Sequence, residues 1–175
     1  MAGICHRILP IVYISERWQF PPQEGGKVLD NSEMIMIDFP LEPQPKLRPR
    51  FHIYRGRVLT QTPLKTKVYE NYVADWYTYH GGKKFDKGIL LKVELEFYFE
   101  TPKSYSKKKK AAAIAGEIRH VSKPDIDNLT KAALDALNDI AWHDDAQIIE
   151  IKSRKQYAKE SHFIIKIYPV TEAGE

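Results

Sequence analysis

From Ile89 to Phe99 the chain alternates apolar and polar residues. Leu91, Val93, Leu95, Phe97 and Phe99 fall on one side, and Lys92, Glu94, Glu96 and Tyr98 on the other. A period of two predicts a strand with one face in a core and the other in water. The buried face of such a sheet needs cover, and two stretches have helical spacing. Pro63 to about Tyr79 predicts one helix, with Val68, Tyr72, Trp76 and Tyr79 as its core stripe and Gly81-Gly82 as its end. From Asn128 onward Leu129, Ala132, Ala133, Ala136 and Leu137 make the apolar face of another.

The remaining segments complete a fold class. Met34–Phe39 reads as a strand ended by Pro40, and Pro40 to Pro49 as a proline-punctuated loop. Phe51–Tyr54 and Val58–Thr60 flank Arg55-Gly56 as a hairpin. Lys107 to Ala115 has helical composition, although four adjacent lysines repel one another. Gln147–Tyr157 and His162–Val170 read as strands joined by Ala158–Ser161 into a terminal hairpin. This order predicts an α+β protein: a single domain over residues 34–175 with a mixed sheet and packed helices. Residues 1–33, with Pro21-Pro22 and Gly25-Gly26, read as an N-terminal extension of no assigned role.

Chemistry concentrates near the C-terminal end. Between Asp125 and Glu150 there are seven acidic residues and one basic residue, Lys131, yet the whole chain carries +4. A local carboxylate surplus inside a basic protein points to a compensating cation, most simply a divalent metal. Asp125 and Asp127 are two apart, so in an extended segment their side chains point the same way. Asp127, Lys131 and Asp135 are each four apart and share the polar face of the predicted helix. Asp144-Asp145, in the turn that follows, can return further carboxylates to the same place. Oxygen ligands without cysteine suit a hard cation such as Mg²⁺ or Mn²⁺. The competing account for each aspartate alone is structural: helix-dipole or turn chemistry for the acids, and an ion pair with Asp127 or Asp135 for Lys131.

Two basic segments lie upstream. Lys46 to Lys67 holds seven Lys and Arg and no acid; within it Arg48 and Arg50 alternate with Pro49 and precede Phe51, a mixture suited to phosphate tracking. Thr101 to Lys123 contains the run Lys107, Lys108, Lys109, Lys110 and ends on Lys123, next to the aspartates. The segments predict an anionic partner, in keeping with a pI near 9.0. The single Cys5 excludes an internal disulfide and fits a reducing cytoplasm. Ile8 to Ile14 is too short and too interrupted, at Pro10, to span a membrane. There is no Gly-rich phosphate loop, so no nucleotide cofactor is expected.

Lys123-Pro124-Asp125-Ile126-Asp127-Asn128-Leu129-Thr130-Lys131, followed by Asp135-Ala136-Leu137-Asn138 and Asp144-Asp145-Ala146-Gln147-Ile148, resembles the RusA family of Holliday junction resolvases. The resemblance is tight through this block and looser from about Met34 to Val170. It implies that Asp125, Asp127 and Asp145 are catalytic metal ligands, with Asp144 as helper or alternate, and that Lys131 is functional. It also favours Arg48 and Arg50 as DNA contacts. The activity implied is Mg²⁺-dependent endonucleolytic resolution of four-way DNA junctions by paired nicks from a homodimer. Such genes are frequent in prophages, which implies a phage recombination or packaging context. Two other readings stay open: a junction-binding or regulatory protein without turnover, and a nuclease of broader range on flaps or forks.

Overall fold

The computed structural model describes residues 34–54 and 57–170. The expected extension at residues 1–33 lies outside them. Its central strand is β4 (Leu90–Glu100), where Leu91, Val93, Leu95, Phe97 and Phe99 are all buried, as their alternation requires. β1 (Ile35–Phe39), β5 (Ile148–Ala158) and β6 (His162–Val170) complete a four-stranded sheet of order β1-β6-β4-β5. β4 runs antiparallel to β6 and parallel to β5, so the sheet is mixed.

The last two strands do not form the expected hairpin. β4 lies between them, and the connection Lys159–Ser161 passes over its end, where the Ser161 hydroxyl accepts from the Glu100 amide (3.0 Å). Short sequence separation favours a hairpin only when neither strand has a better partner. Here β4, with Leu91, Val93, Leu95 and Phe97 fully buried, is the partner of both strands.

Helices α1 (Leu64–Tyr79) and α3 (Ile126–Leu137) cover the apolar face of the sheet. On α3 the buried residues are Leu129, Ala132, Ala133, Ala136 and Leu137, the face that the spacing predicts. On α1 they are Thr66, Tyr69, Val73, Trp76 and Tyr77. The predicted stripe is therefore rotated: Trp76 belongs to the core, Val68 and Tyr72 are half-buried and Tyr79 is exposed. Apolar and aromatic residues occur all round this helix, so 3/4 spacing fits more than one stripe. Tertiary partners decide between them, among them Phe163, whose ring lies 6.4 Å from that of Tyr69, and the Asp38 carbonyl, which accepts from the Trp76 indole (2.8 Å). The short α2 (Lys107–Ile114) forms, with the Ser106 hydroxyl accepting from the Lys109 amide. β2 (Arg50–Tyr54) and β3 (Arg57–Gln61) pair in a separate two-stranded sheet.

Candidate active site

α3 begins where Pro124 and the extended backbone of Asp125 (φ −73°, ψ 143°) give way to helix. The Asp125 carboxylate makes no capping hydrogen bond. Asp127 lies in the first turn, where the helix dipole favours a negative charge. The turn before α3 is held from β5: Lys155 Nζ donates to the carbonyls of Ser122 and Pro124, both at 2.7 Å. The proline loop braces the other side, with the Lys46 amide donating to the Asn128 carbonyl (3.0 Å).

Asp127, Lys131 and Asp135 line one cleft of about 430 Å³, and Asp145 lines it from the turn before β5. Ile151 and Ser153 of β5 complete this wall, and the Ser153 and Thr130 hydroxyls are hydrogen-bonded at 2.8 Å. The shared polar face of α3 is therefore a shared cleft wall. Asp135 is not available to Lys131, because it pairs with Lys46, which also bridges to Glu70 of α1 (3.0 Å). Burial would lower the Lys46 pKa, but its bonds to Asp135 and Glu70 outweigh this and raise it. Lys131 and Asp127 have no ion pair among the described residues.

Asp125 does not point the way Asp127 does. It lines a neighbouring cleft of about 510 Å³ with Lys123, Lys46 and Lys65. The period-two argument holds only while both residues are extended, and helix from Ile126 turns Asp127 away. Among the described residues no three carboxylate, histidine or cysteine side chains are gathered closely enough to enclose a metal ion. Among the described residues the Asp125 and Asp127 carboxylates have no ion pair, and carboxylate oxygens facing the clefts are ligands that suit a hard divalent cation.

Asp145 is oriented by Trp142, fully buried, whose indole N–H donates to its Oδ1 (2.8 Å). Asp144 faces elsewhere: its carboxylate accepts from the Ala146 amide (2.8 Å) and caps the single 3-10 turn Asp145–Gln147. Gln147 anchors that turn, accepting from the His143 amide and donating to the carbonyls of Asp86 and Ile89. Trp142 and Lys155 lie outside the family motif and act through neighbours; Gln147 lies inside it, but the family resemblance does not assign its role as a turn anchor. The D-x-x-Q spacing of a capping box was the one available signal, for Gln147. His120 is buried between Phe99 and Tyr157, and burial first, then Lys155, lowers its pKa.

Among the described residues, only Lys123 of the predicted DNA-contacting cations lines a cleft. Lys107, Lys108 and Lys109 are exposed on the first turn of α2, with Lys109 Nζ 4.0 Å from the Tyr105 ring centre; Lys110 is half-buried. Lys123 lines the Asp125 cleft and Arg48 is exposed on the proline loop. Arg50 opens β2. No helix among the described residues is long and apolar enough to cross a membrane.

A mixed sheet covered by two helices defines an α+β protein, in which Asp127, Asp135 and Asp145 line one cleft and Asp125 shares the neighbouring one with three lysines. Residues 40–168 match the model of the endodeoxyribonuclease RusA family. The chain is 36% identical over 132 residues to the uncharacterized protein YqaN of Bacillus subtilis (strain 168), covering 74% of this chain and 92% of that one. The protein belongs to the RusA family, whose members are metal-dependent nucleases associated with Holliday junctions.

Proposed function

We propose that the protein is a Mg²⁺-dependent endonuclease of branched DNA, acting on four-way junctions by paired nicks from a homodimer. The observation that carries this reading is the cleft lined by Asp127, Lys131 and Asp145 within a RusA-family chain. Asp127 and Asp145, with Asp125 from the neighbouring cleft, would hold the cation, for which Mn²⁺ can substitute. A bound divalent cation supplies activation of a water and neutralisation of charge on the phosphate. Lys131, which has no ion pair among the described residues, would bind the scissile phosphate and offset charge on the leaving oxygen. Trp142 keeps Asp145 turned to the cleft, and Lys155 keeps the Ser122–Pro124 turn that carries Asp125. Asp144 contributes by shaping the turn. Arg48, Arg50, Lys107 to Lys110 and Lys123 would bind flanking phosphates.

The test is a labelled four-way junction incubated with Mg²⁺, Mn²⁺ or chelator and resolved on a denaturing gel. Asp125→Asn, Asp127→Asn and Asp145→Asn should each reduce cutting by orders of magnitude while junction binding holds or rises, because metal-free carboxylates repel phosphate. Asp139→Asn is the control. Asp139 lies outside the clefts at φ 63°, a conformation asparagine accepts readily. Tight binding without cutting in either metal would make the protein a junction binder, and full activity of Asp127→Asn would remove the cleft from the chemistry.

A further inference from the structure

Among the described residues the β2–β3 hairpin joins no other sheet. In its register Phe51 pairs with Thr60 and Ile53 with Val58. Directly paired residues project to one face, so Phe51, Ile53 and Val58 stand together. They are 71%, 77% and 66% exposed. A lone two-stranded hairpin is marginal in water, and an open apolar face marks a binding surface.

The surrounding charge selects the partner. From Pro43 to Tyr69 there are seven Lys and Arg and no acid. Arg48, Arg57, Lys65 and Lys67 are exposed, and none has an ion pair among the described residues. A second copy seated on this face would press two cationic hairpins together. DNA offers both complements: phosphates for the cations, and flat apolar bases for Phe51, Ile53 and Val58. In continuous duplex the bases cover one another. A base face is free only where stacking is interrupted.

We propose that the β2–β3 hairpin is a base-contacting wedge. Its Phe51, Ile53 and Val58 face packs against an unstacked base at the discontinuity of branched DNA, while Arg48 and Arg57 hold the flanking phosphates. The inference rests on branched DNA as the substrate. It adds a means of telling a branch from a duplex that does not involve Asp125, Asp127 or Asp145. Apolar and aromatic side chains are suited to this, since every base presents a π-face.

The test titrates the full chain, in chelator, against a four-way junction carrying 2-aminopurine at the branch point and against a linear duplex of equal length. Wild type should bind the junction and change the 2-aminopurine emission. Phe51→Ala should abolish that change and weaken junction binding by about tenfold, with duplex affinity and salt dependence unaltered. Phe51→Trp should retain both signals, and circular dichroism checks that the variants fold. Unchanged emission and junction affinity in Phe51→Ala, or equal losses on junction and duplex, would overturn the wedge. A shift of the variant from dimer to monomer in light scattering would give the face to a second copy instead. Hydrogen exchange showing β2–β3 covered in the free chain, and uncovered by removing residues 1–33, would give it to that segment. If wild type prefers no junction, the branched-DNA reading fails first and the wedge with it. If wild type and Phe51→Ala cut junctions equally well, only the wedge is lost.

Discussion

Asp145 depends on the indole of Trp142 for its orientation, and this makes a buried residue part of the proposed chemistry. Trp142→Phe removes the N–H donor while keeping an aromatic ring in the core. Removing an outer partner of a metal ligand costs about 10–100-fold in metal affinity or activity. The Mg²⁺ concentration for half-maximal cutting should therefore rise by about tenfold; an unchanged Mg²⁺ response alongside a lowered melting temperature would reduce Trp142 to packing. A second residue, Glu96, has its side chain only 7% exposed on the far side of the sheet. Burial raises its carboxyl pKa, but bonds from Arg154 (2.8 Å), Lys166 (2.9 Å) and Tyr98 (2.7 Å) outweigh this and hold it at about 2, below the usual 4.5. Its folded pKa is depressed, so its contribution is complete above pH 4.5 and is lost as pH falls toward 2. A shift of this size corresponds to roughly 3 kcal/mol, less the screening at the half-exposed Arg154. Urea unfolding at pH 5 and pH 3 should show wild type losing more stability than Glu96→Gln; equal losses would place the acid sensitivity elsewhere.

At the scale of the element, α2 carries lysines in its first turn and no acid there. Cations at a helix N-terminus oppose its dipole, by about 0.3–1 kcal/mol each at low salt. Helix stability thus gives no reason for their presence, whereas phosphates would offset both the dipole clash and the mutual repulsion. Replacing Lys107 to Lys110 by glutamine should weaken junction and duplex binding together. It should also flatten the plot of log K against log salt by about 0.9 for each phosphate no longer neutralised. An unchanged slope would make the run an ordinary solvated face.

At the scale of the whole molecule, paired nicking needs two sites related by symmetry, and the motif aspartates Asp125, Asp127 and Asp145 of one chain make up one candidate site. A C2 dimer meets that need, with a mass of about 40 kDa from the 20.3 kDa chain. β5, at the edge of the sheet, leaves Ile149 and Ile151 exposed beside the cleft, an apolar edge available to a second copy. Light scattering at micromolar concentration should show the dimer; monomer alone, with and without junction DNA, would remove paired incision by a preformed dimer.

Local periodicity determined much of this protein by itself. The alternation in β4 and the 3/4 spacing in α3 specify which face of each element is apolar, and both of those faces are buried. The same spacing brought Asp127, Lys131 and Asp135 to one wall, and the motif around them carried the family. Periodicity names an apolar face but not its cover, so α1, apolar on several sides, needed its neighbours to choose the stripe of Tyr69, Val73 and Tyr77. Strand partners are long-range choices, and only the sheet revealed that β4 separates β5 from β6. The tertiary structure likewise gave Asp135 to Lys46, left Lys131 without an ion pair among the described residues, and sent Asp125 and Asp127 into neighbouring clefts. Each of these depends on where a distant segment arrives, and no spacing within one element encodes that.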